Sequence, residues 1–143
     1  MSKRWKWFWG VVGVLMLVAL VAGVRGYREA RSMGFLREPV FETERPAVPA
    51  LEHPAVLVFS KTNSFIHKEA IPAAKAPLEQ MGAERGWSVY QSDSGAVFNA
   101  EDLARFDVVV WNNVTGDVLL PAQREAMREV FRRWRDEGAT TRA

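Results

Sequence analysis

The stretch AVLVFSKTNSFIH at residues 55–67 decides the fold of this chain, because an uninterrupted apolar run passes directly into a polar loop. The stretch VVVWNNVTGD at residues 108–117 repeats this transition. Short, β-branched apolar runs are typical of strands that are buried on both faces of a sheet. A helical pattern follows each run, so we expect both polar loops at the carboxyl ends of parallel strands. In open α/β sheets, ligands bind at that edge.

The segments around these two runs predict the other elements of one α/β domain. Residues 71–81 carry apolar side chains at spacings of three and four, which predicts a helix; Pro77 predicts a kink, or a regular helix only after it. We expect a second strand at 87–90, a short helix capped by Asn99, and a last amphipathic helix from Pro121. Right-handed crossovers favour the strand order 2-1-3 in a three-layer α/β sandwich with a parallel sheet.

An apolar segment near the N-terminus lies outside this domain. Residues 7–24 carry no charge, and as a helix they would span roughly 27 Å, close to the hydrocarbon thickness of a bilayer. A basic N-terminal tail, residues 1–6, precedes this segment, and tryptophans crowd its start as interfacial anchors do. We expect one transmembrane helix over 7–24 that contacts the lipid bilayer. A cleaved signal peptide is the alternative, since Val21-Ala22-Gly23 offers a small-residue cleavage site.

The charges that flank the apolar segment leave its orientation nearly balanced. Four arginines follow it and compete with the basic tail under the positive-inside rule. A short basic tail before a first apolar segment resembles an export signal, so we expect a single-pass protein with its folded domain on the extracytoplasmic side. Residues 25–54, rich in proline and mixed charge, are predicted as a linker, 55–137 as the α/β domain, and 138–143 as a disordered tail.

Composition excludes several classes of function. The 143-residue chain has no cysteine, which excludes disulfides, thiol nucleophiles and thiolate metal sites. Its only histidines are His53, in the predicted linker, and His67, so we predict no metal site and no cofactor. The net charge of +2 divides into +3 for residues 1–54 and −1 for 55–143, which indicates no nucleic-acid surface. No feature of the sequence indicates an oligomeric state.

The two apolar-to-polar junctions and their flanks resemble motifs of the trehalose-utilisation (ThuA-like) family. The first motif corresponds to residues 56–72, with Phe65 and His67 and an isoleucine-proline pair at its end, and the second to residues 106–119. The resemblance covers residues 55–135. It implies a flavodoxin-like fold related to class I glutamine amidotransferases, without their cysteine nucleophile. It also implies a link to sugar metabolism, whereas the reaction stays undefined.

The C-terminal end departs from the pattern of this family. Its members continue after the last helix through a glycine run into another strand and a second histidine-bearing loop. Here Asp136-Glu137-Gly138 is followed by five further residues. We therefore expect an incomplete, C-terminally truncated domain whose third strand is an exposed apolar edge. Such a chain is expected to turn over no substrate.

Polar side chains in the two junction loops are the candidate functional residues. His67 fits the family's Phe-x-His pattern and is the candidate catalytic acid or base; a histidine that only orders its turn is the alternative. The amide and hydroxyl groups in these loops suit sugar hydroxyls, and ordinary turn chemistry is the alternative for them. We expect His67 and Asn113 to face one cleft. The predicted ligand-binding residues are Lys61, Thr62, Ser64, His67, Asn112, Asn113 and Thr115.

These observations favour one interpretation of function and leave two others open. The leading interpretation is a membrane-anchored ThuA-like domain with a role in carbohydrate metabolism, acting on trehalose or another disaccharide. The alternatives are a non-catalytic sugar-binding or scaffolding module of the same fold, and an inactive truncated fragment. The sequence alone does not decide whether the chain is an enzyme.

Overall fold

A computed structural model describes residues 2–140, with side-chain detail up to residue 137. The chain divides into two compact units, Met1–Arg37 and Glu38–Ala143. Each unit has its own architecture, and the predicted apolar segment and the predicted α/β domain fall in different units.

The first unit is one long helix, α1, which covers Lys3–Ser32. None of its 30 residues is buried, and by length and composition it is able to cross a membrane. The predicted segment 7–24 lies wholly inside it. Aromatic rings at its start pack on one another, with the Trp5 ring 6.0 Å from that of Phe8 and 5.9 Å from that of Trp9 between centroids. This cluster is placed as membrane-interface aromatic residues are.

The second unit is built around a parallel sheet, as the alternation of apolar runs and helical patterns predicts. The strands are β1 (Ala55–Phe59), β2 (Ser88–Ser92) and β3 (Val108–Trp111), and the helices are α2 (Ala70–Arg85), α3 (Ala100–Leu103) and α4 (Pro121–Thr140). The strand order is β2-β1-β3 with both pairings parallel, which confirms the predicted order 2-1-3. A single turn of 3₁₀ helix at Gly95–Val97 follows β2.

One face of the sheet carries the hydrophobic core. Side chains alternate along a strand, so Leu57 and Phe59 of β1 point to the same face, where both are fully buried. The Phe59 ring meets the Phe98 ring edge-on, with 4.7 Å between centroids. Val130 of α4 belongs to the same buried cluster, together with Leu103 of α3. Burial of each such side chain contributes about 1.5–3 kcal/mol, so this face holds much of the apolar stabilisation.

The opposite face of the sheet is covered by α2, whose one buried residue is Gly82. A methyl group at this position would overlap Cγ2 of Val89 on β2, so glycine permits the close approach of helix and strand. The helix begins at Ala70 and contains Pro77, so helical structure is not confined to the residues after this proline. At its end Gly86 adopts a left-handed conformation, with φ of 70°.

The segment 38–53, which we call the strap, is part of the second unit although its sequence reads as linker. Arg45 donates to both carboxylate oxygens of Asp102, over 2.8 and 2.6 Å, and Asp102 is only 1% exposed. The Arg105 guanidinium donates to the Val48 carbonyl over 3.0 Å. Prolines prevent the strap from forming a helix, but its charged and carbonyl groups find partners on the domain. Residues from Glu38 onward thus belong to the second unit, and the linker bounds of 25–54 stay a prediction.

The last helix extends beyond the predicted end of the domain. Helix α4 reaches Thr140, three residues into the segment 138–143 for which the sequence predicts disorder. Residues 141–143 lie outside the described part of the chain, so disorder there stays a prediction.

Candidate functional site

The loops that leave β1 and β3 are bonded directly to each other at the carboxyl edge of the sheet. Thr62 and Thr115 form a parallel β-bridge, and the Asn63 amide donates to the Thr115 carbonyl over 2.8 Å. The Thr115 hydroxyl donates in turn to the carbonyl of Phe65. Adjacent strands place these loops side by side, as expected for the order β2-β1-β3. In these contacts Thr62 and Thr115 serve to join the loops.

Asn112 is the buried centre of this loop contact. Its side-chain amide donates to the Ser60 hydroxyl over 3.1 Å and to the Ile71 carbonyl over 3.3 Å. Its side-chain oxygen accepts from the Asn113 amide over 2.8 Å. Asn113 itself has φ of 55°, a left-handed conformation that asparagine tolerates better than most residues. In the described structure both asparagines thus stabilise the turn after β3.

Lys61 is enclosed, because only 6% of its surface is exposed. Its ammonium group pairs with Oε1 of Glu42 in the strap, and Oε2 of the same carboxylate accepts from the Gly95 amide over 2.9 Å. Burial acts to raise the pKa of Glu42, but the hydrogen bonds from Lys61 and Gly95 outweigh it and hold the pKa below its usual value. The Glu42 carboxylate therefore remains ionised at neutral pH.

Asn63, which the sequence does not single out, joins the strap to both loops. Its side chain exchanges hydrogen bonds with the backbone of Val40, donating over 2.9 Å and accepting over 3.1 Å. It also donates to the Asp117 carbonyl over 2.8 Å. The buried side-chain amide of Asn63 thus forms hydrogen bonds with the backbone of two other segments and holds these segments together.

Ser64 and His67 are half-buried and stand apart from this network of side chains. The His67 ring meets the Phe65 ring edge-on with 4.7 Å between centroids, and the His67 carbonyl accepts from the Ile71 amide over 3.1 Å at the start of α2. The edge-on ring contact and the backbone hydrogen bond hold His67 at the rim of the domain. The cleft that we expect His67 and Asn113 to share stays a prediction, as does ligand binding by the loop residues.

A small polar pocket lies beside these loops, at the carboxyl ends of β1 and β2. Its volume is about 190 Å³, and hydroxyl, amide, ammonium and carboxylate groups all occur in its lining. The Ser60 amide donates to the Ser92 carbonyl over 3.0 Å, which holds the two strand ends together beneath it. The lining residues are Ser60, Ile71, Lys75, Gln91, Ser92 and Asp93.

Gln91, which lines this pocket, has a side chain whose hydrogen bonds are only partly satisfied. Its side-chain nitrogen donates to the Glu79 carboxylate over 2.6 Å and to the Lys75 carbonyl over 3.4 Å. Its Oε1 is buried and has no hydrogen-bond partner among the residues that the structure describes. Because an unpaired buried polar atom costs about 1–3 kcal/mol, a donor at this position would be stabilised.

The predicted ligand-binding residues all lie in the loops after β1 and β3, and none lies at the end of β2. Because β2 is the other neighbour of β1, its carboxyl end also borders the edge where ligands bind. Gln91 has the further signal of a large polar side chain inside a strand.

Among the residues with described side chains, up to residue 137, no group of three or more histidine, aspartate or glutamate side chains is placed to hold a metal ion. The pocket and loops therefore offer hydrogen-bond and ion-pair chemistry from protein groups.

Together, the fold and the pocket define an α/β domain of flavodoxin type with a polar cavity at the carboxyl edge of its parallel sheet. The sequence matches the ThuA family, described as trehalose utilisation, over residues 55–133. The match covers more than half of the 143 residues, so the chain belongs to this family. No curated protein and no solved structure matches the chain.

Proposed function

We propose that this chain is a membrane-anchored ThuA-family protein that binds a saccharide, trehalose or another disaccharide, in the polar pocket at the ends of β1 and β2. The observation that carries the proposal is the lining of this pocket, where hydroxyl, amide, ammonium and carboxylate groups surround one small cavity at the carboxyl edge of the sheet, since sugar hydroxyls both donate to and accept from such groups. Family membership supports a saccharide over other polyols.

The size and lining of the pocket suit one sugar ring. Its volume of 190 Å³ is below the ~300–1,000 Å³ of pockets that enclose drug-sized ligands, so the second ring of a disaccharide would extend outward. Asp93 is an acceptor and Lys75 a donor, while Ser92 has a hydroxyl that does both. This mixture matches the alternating donor and acceptor character of a ring that carries several hydroxyl groups.

Within this proposal, His67 is the candidate acid or base of an enzyme. Imidazole changes charge near neutral pH, and the histidine is half-buried at the rim of the domain. A non-catalytic saccharide-binding module is the second candidate. It is favoured by Asn112, Asn113 and Thr115, whose side chains already form hydrogen bonds within the protein.

Membrane attachment through α1 completes the proposed function. A bilayer-spanning helix of this length would hold the domain at the membrane surface, and we infer the extracytoplasmic side from the basic residues that precede the apolar segment. Retention of the helix, rather than its cleavage as a signal, is part of the proposal. N-terminal sequencing of the membrane fraction distinguishes the two, because cleavage would give a mature chain that starts near Val24.

Calorimetric titration of the full chain in lipid nanodiscs tests the saccharide site. Trehalose, maltose and glucose are titrated into the wild-type chain and into the Gln91→Met variant, which removes a side-chain amide from the pocket lining. Loss of one neutral hydrogen bond is worth about 0.5–1.5 kcal/mol, so the variant should bind ~2–10-fold more weakly. Gln80→Met, on the exposed side of α2, is the matched control. The proposal fails if no saccharide binds, or if Gln91→Met binds as well as Gln80→Met does.

Turnover separates the enzyme from the binding module. The wild-type chain and His67→Ala are incubated with the saccharides that bind, and products are followed by chromatography. Turnover that disappears in His67→Ala, with saccharide affinity retained, would assign the acid or base role to His67. Binding without turnover in the wild-type chain would establish the module instead.

A further inference from the structure

The contact between the strap and the domain contains an ion pair, Lys61 with Glu42, whose two side chains differ in solvent exposure. The Lys61 side chain is only 7% exposed, whereas that of its partner Glu42 is 31% exposed. The Glu42 carboxylate uses both oxygens, one on the Lys61 ammonium and one on the Gly95 amide. The lysine is thus fixed inside the domain, and the carboxylate reaches it from outside.

The position of Lys61 is one where α/β sheets bind ligands. It follows β1, the central strand, by two residues and lies at the carboxyl edge of the sheet. A buried ammonium group in the absence of an anion is unfavourable, so this position needs a negative partner. In the described structure Glu42 is that partner.

The two sides of this contact belong to different parts of the sequence. Lys61 and Gly95 lie within residues 55–133, which match the ThuA family, whereas Glu42 precedes the matched region. The strap that carries Glu42 has no helix or strand, and around Glu42 its backbone bonds to side chains, as in the 2.7 Å bond from Gln123 to the Glu42 carbonyl. Segments held in this way open at lower cost than sheet or helix does.

We propose that Lys61 and the Gly95 amide form a binding site for the carboxylate group of a small ligand such as a sugar acid, and that Glu42 occupies this site as an internal substitute for the ligand. The strap then competes with the ligand, and its release opens the site. A carboxylate is the group of choice because Glu42 itself shows that one fits, with one oxygen on each donor. This site goes beyond the saccharide pocket and does not depend on it.

Removal of Glu42 tests the site with acetate, the smallest carboxylate that can replace it. The full chain in nanodiscs carries Glu42→Ala, and its thermal unfolding is followed in sodium acetate and in sodium chloride at equal ionic strength. Acetate should raise the midpoint of Glu42→Ala saturably, and should exceed its effect on the wild-type chain at least threefold. Glu44→Ala, which removes an exposed carboxylate of the same strap, should respond as the wild-type chain does.

The lysine must be responsible for this response. Addition of Lys61→Met to Glu42→Ala should abolish the difference between acetate and chloride. If Glu42→Ala does not fold, Glu42→Ser replaces it, because its short polar side chain also vacates the position of the carboxylate. An acetate response equal to that of Glu44→Ala, or one that persists without Lys61, would overturn the proposal.

Calorimetry then identifies the ligand class. Glucuronate, acetate and glucose are titrated into Glu42→Ala and into the wild-type chain. Glucuronate should bind Glu42→Ala at least 10-fold more tightly than it binds the wild-type chain, because Glu42 no longer competes, and glucose should show no such difference. Tighter binding of glucuronate than of acetate supports a sugar acid. Equal affinity of both chains for glucuronate contradicts competition by Glu42.

Discussion

Helices cover both faces of the sheet, yet only one of the two faces is closed. On the face of Leu57 and Phe59, side chains from α3 and α4 complete a buried core. On the face of Val56 and Val58, an apolar groove of about 340 Å³ remains between α2 and the sheet. Both faces of β1 are equally apolar in sequence, so the strand pattern predicts that β1 is buried without predicting how well each face is packed.

The helices explain the difference between the faces. Helix α4 presents Ala126, Met127 and Trp134 against the core around its buried Val130. Helix α2 approaches the sheet through a glycine and leaves Met81 exposed, so it fills less of the space above the strands. The edge strand β3 shares this open face, with Val108 46% exposed. Packing energy is therefore concentrated on the closed face, and the following predictions run from the largest expected effect to the smallest.

Truncation of a core side chain on the closed face should have the largest effect. Phe59→Ala removes a fully buried ring that packs on the rings of Phe98 and Trp111, and should lower the free energy of unfolding by about 3–5 kcal/mol. Val110→Ala, on the face with the groove, should cost about 1 kcal/mol or less, since its surroundings are already incompletely packed. Urea unfolding monitored by circular dichroism compares the two. Equal losses would mean that the two faces are packed alike.

Loss of the contact between Arg45 of the strap and Asp102 of α3 should have the second-largest effect, and its contribution to stability should depend on pH. Burial acts to raise the pKa of Asp102, but the hydrogen bonds from Arg45 and Asn99 outweigh it and hold the pKa below its usual value. Asp102→Asn should cost about 1.5–3 kcal/mol at pH 7, because charge-assisted hydrogen bonds are lost.

The sign of the pH dependence follows from this lowered pKa. The contribution of Asp102 is complete above the unfolded pKa of about 3.9 and is lost as the pH falls through the lower folded value. The gap in unfolding free energy between wild type and Asp102→Asn should therefore narrow below about pH 4. Chemical unfolding of both chains at several pH values measures it, and a gap that is constant down to pH 2 would refute the role of the ionised carboxylate.

An added methyl group between α2 and the sheet should have a smaller effect. In Gly82→Ala the new Cβ meets Cγ2 of Val89, and overpacking of this kind costs about 1–3 kcal/mol, offset by the ~1 kcal/mol gain of alanine over glycine in a helix. Val89→Ala removes the obstructing methyl group, so a double-mutant cycle should show favourable coupling between the two changes. Additive effects would show that the overlap is relieved by movement of α2 instead.

The exposed edge strand should give the smallest effect. Val108→Thr changes a side chain at the open end of the groove, and the free energy of unfolding should change by no more than about 0.5 kcal/mol. The urea midpoint is the measurement. A loss above about 1.5 kcal/mol would show that Val108 is packed in solution and that the groove is filled.

The sequence predicts the sheet well because strands and crossovers follow from local patterns. The β-branched runs at 55–60 and 108–111 are sufficient for parallel strands with β1 in the centre. The contacts of the strap cannot be predicted from local patterns, because Arg45 and Asp102 are 57 residues apart in the sequence. The same limit applies to Lys61, which the sequence predicts as a ligand-binding residue and whose enclosure depends on Glu42. For Gln91, no sequence pattern indicates that one side-chain atom lacks a partner.

Chemical-shift mapping of trehalose binding to the full chain tests the central claim most directly, because it compares the polar pocket with the apolar groove. We expect the backbone amides of Ser60, Gln91 and Asp93 to shift saturably as trehalose is added, while those of Val108 and Val110 do not move. Gln91→Met should reduce the shifts at a given trehalose concentration. Saturable shifts that are confined to the groove residues would contradict the account. The absence of any shift at ~10 mM trehalose, in about 50-fold excess over the protein, would contradict it as well.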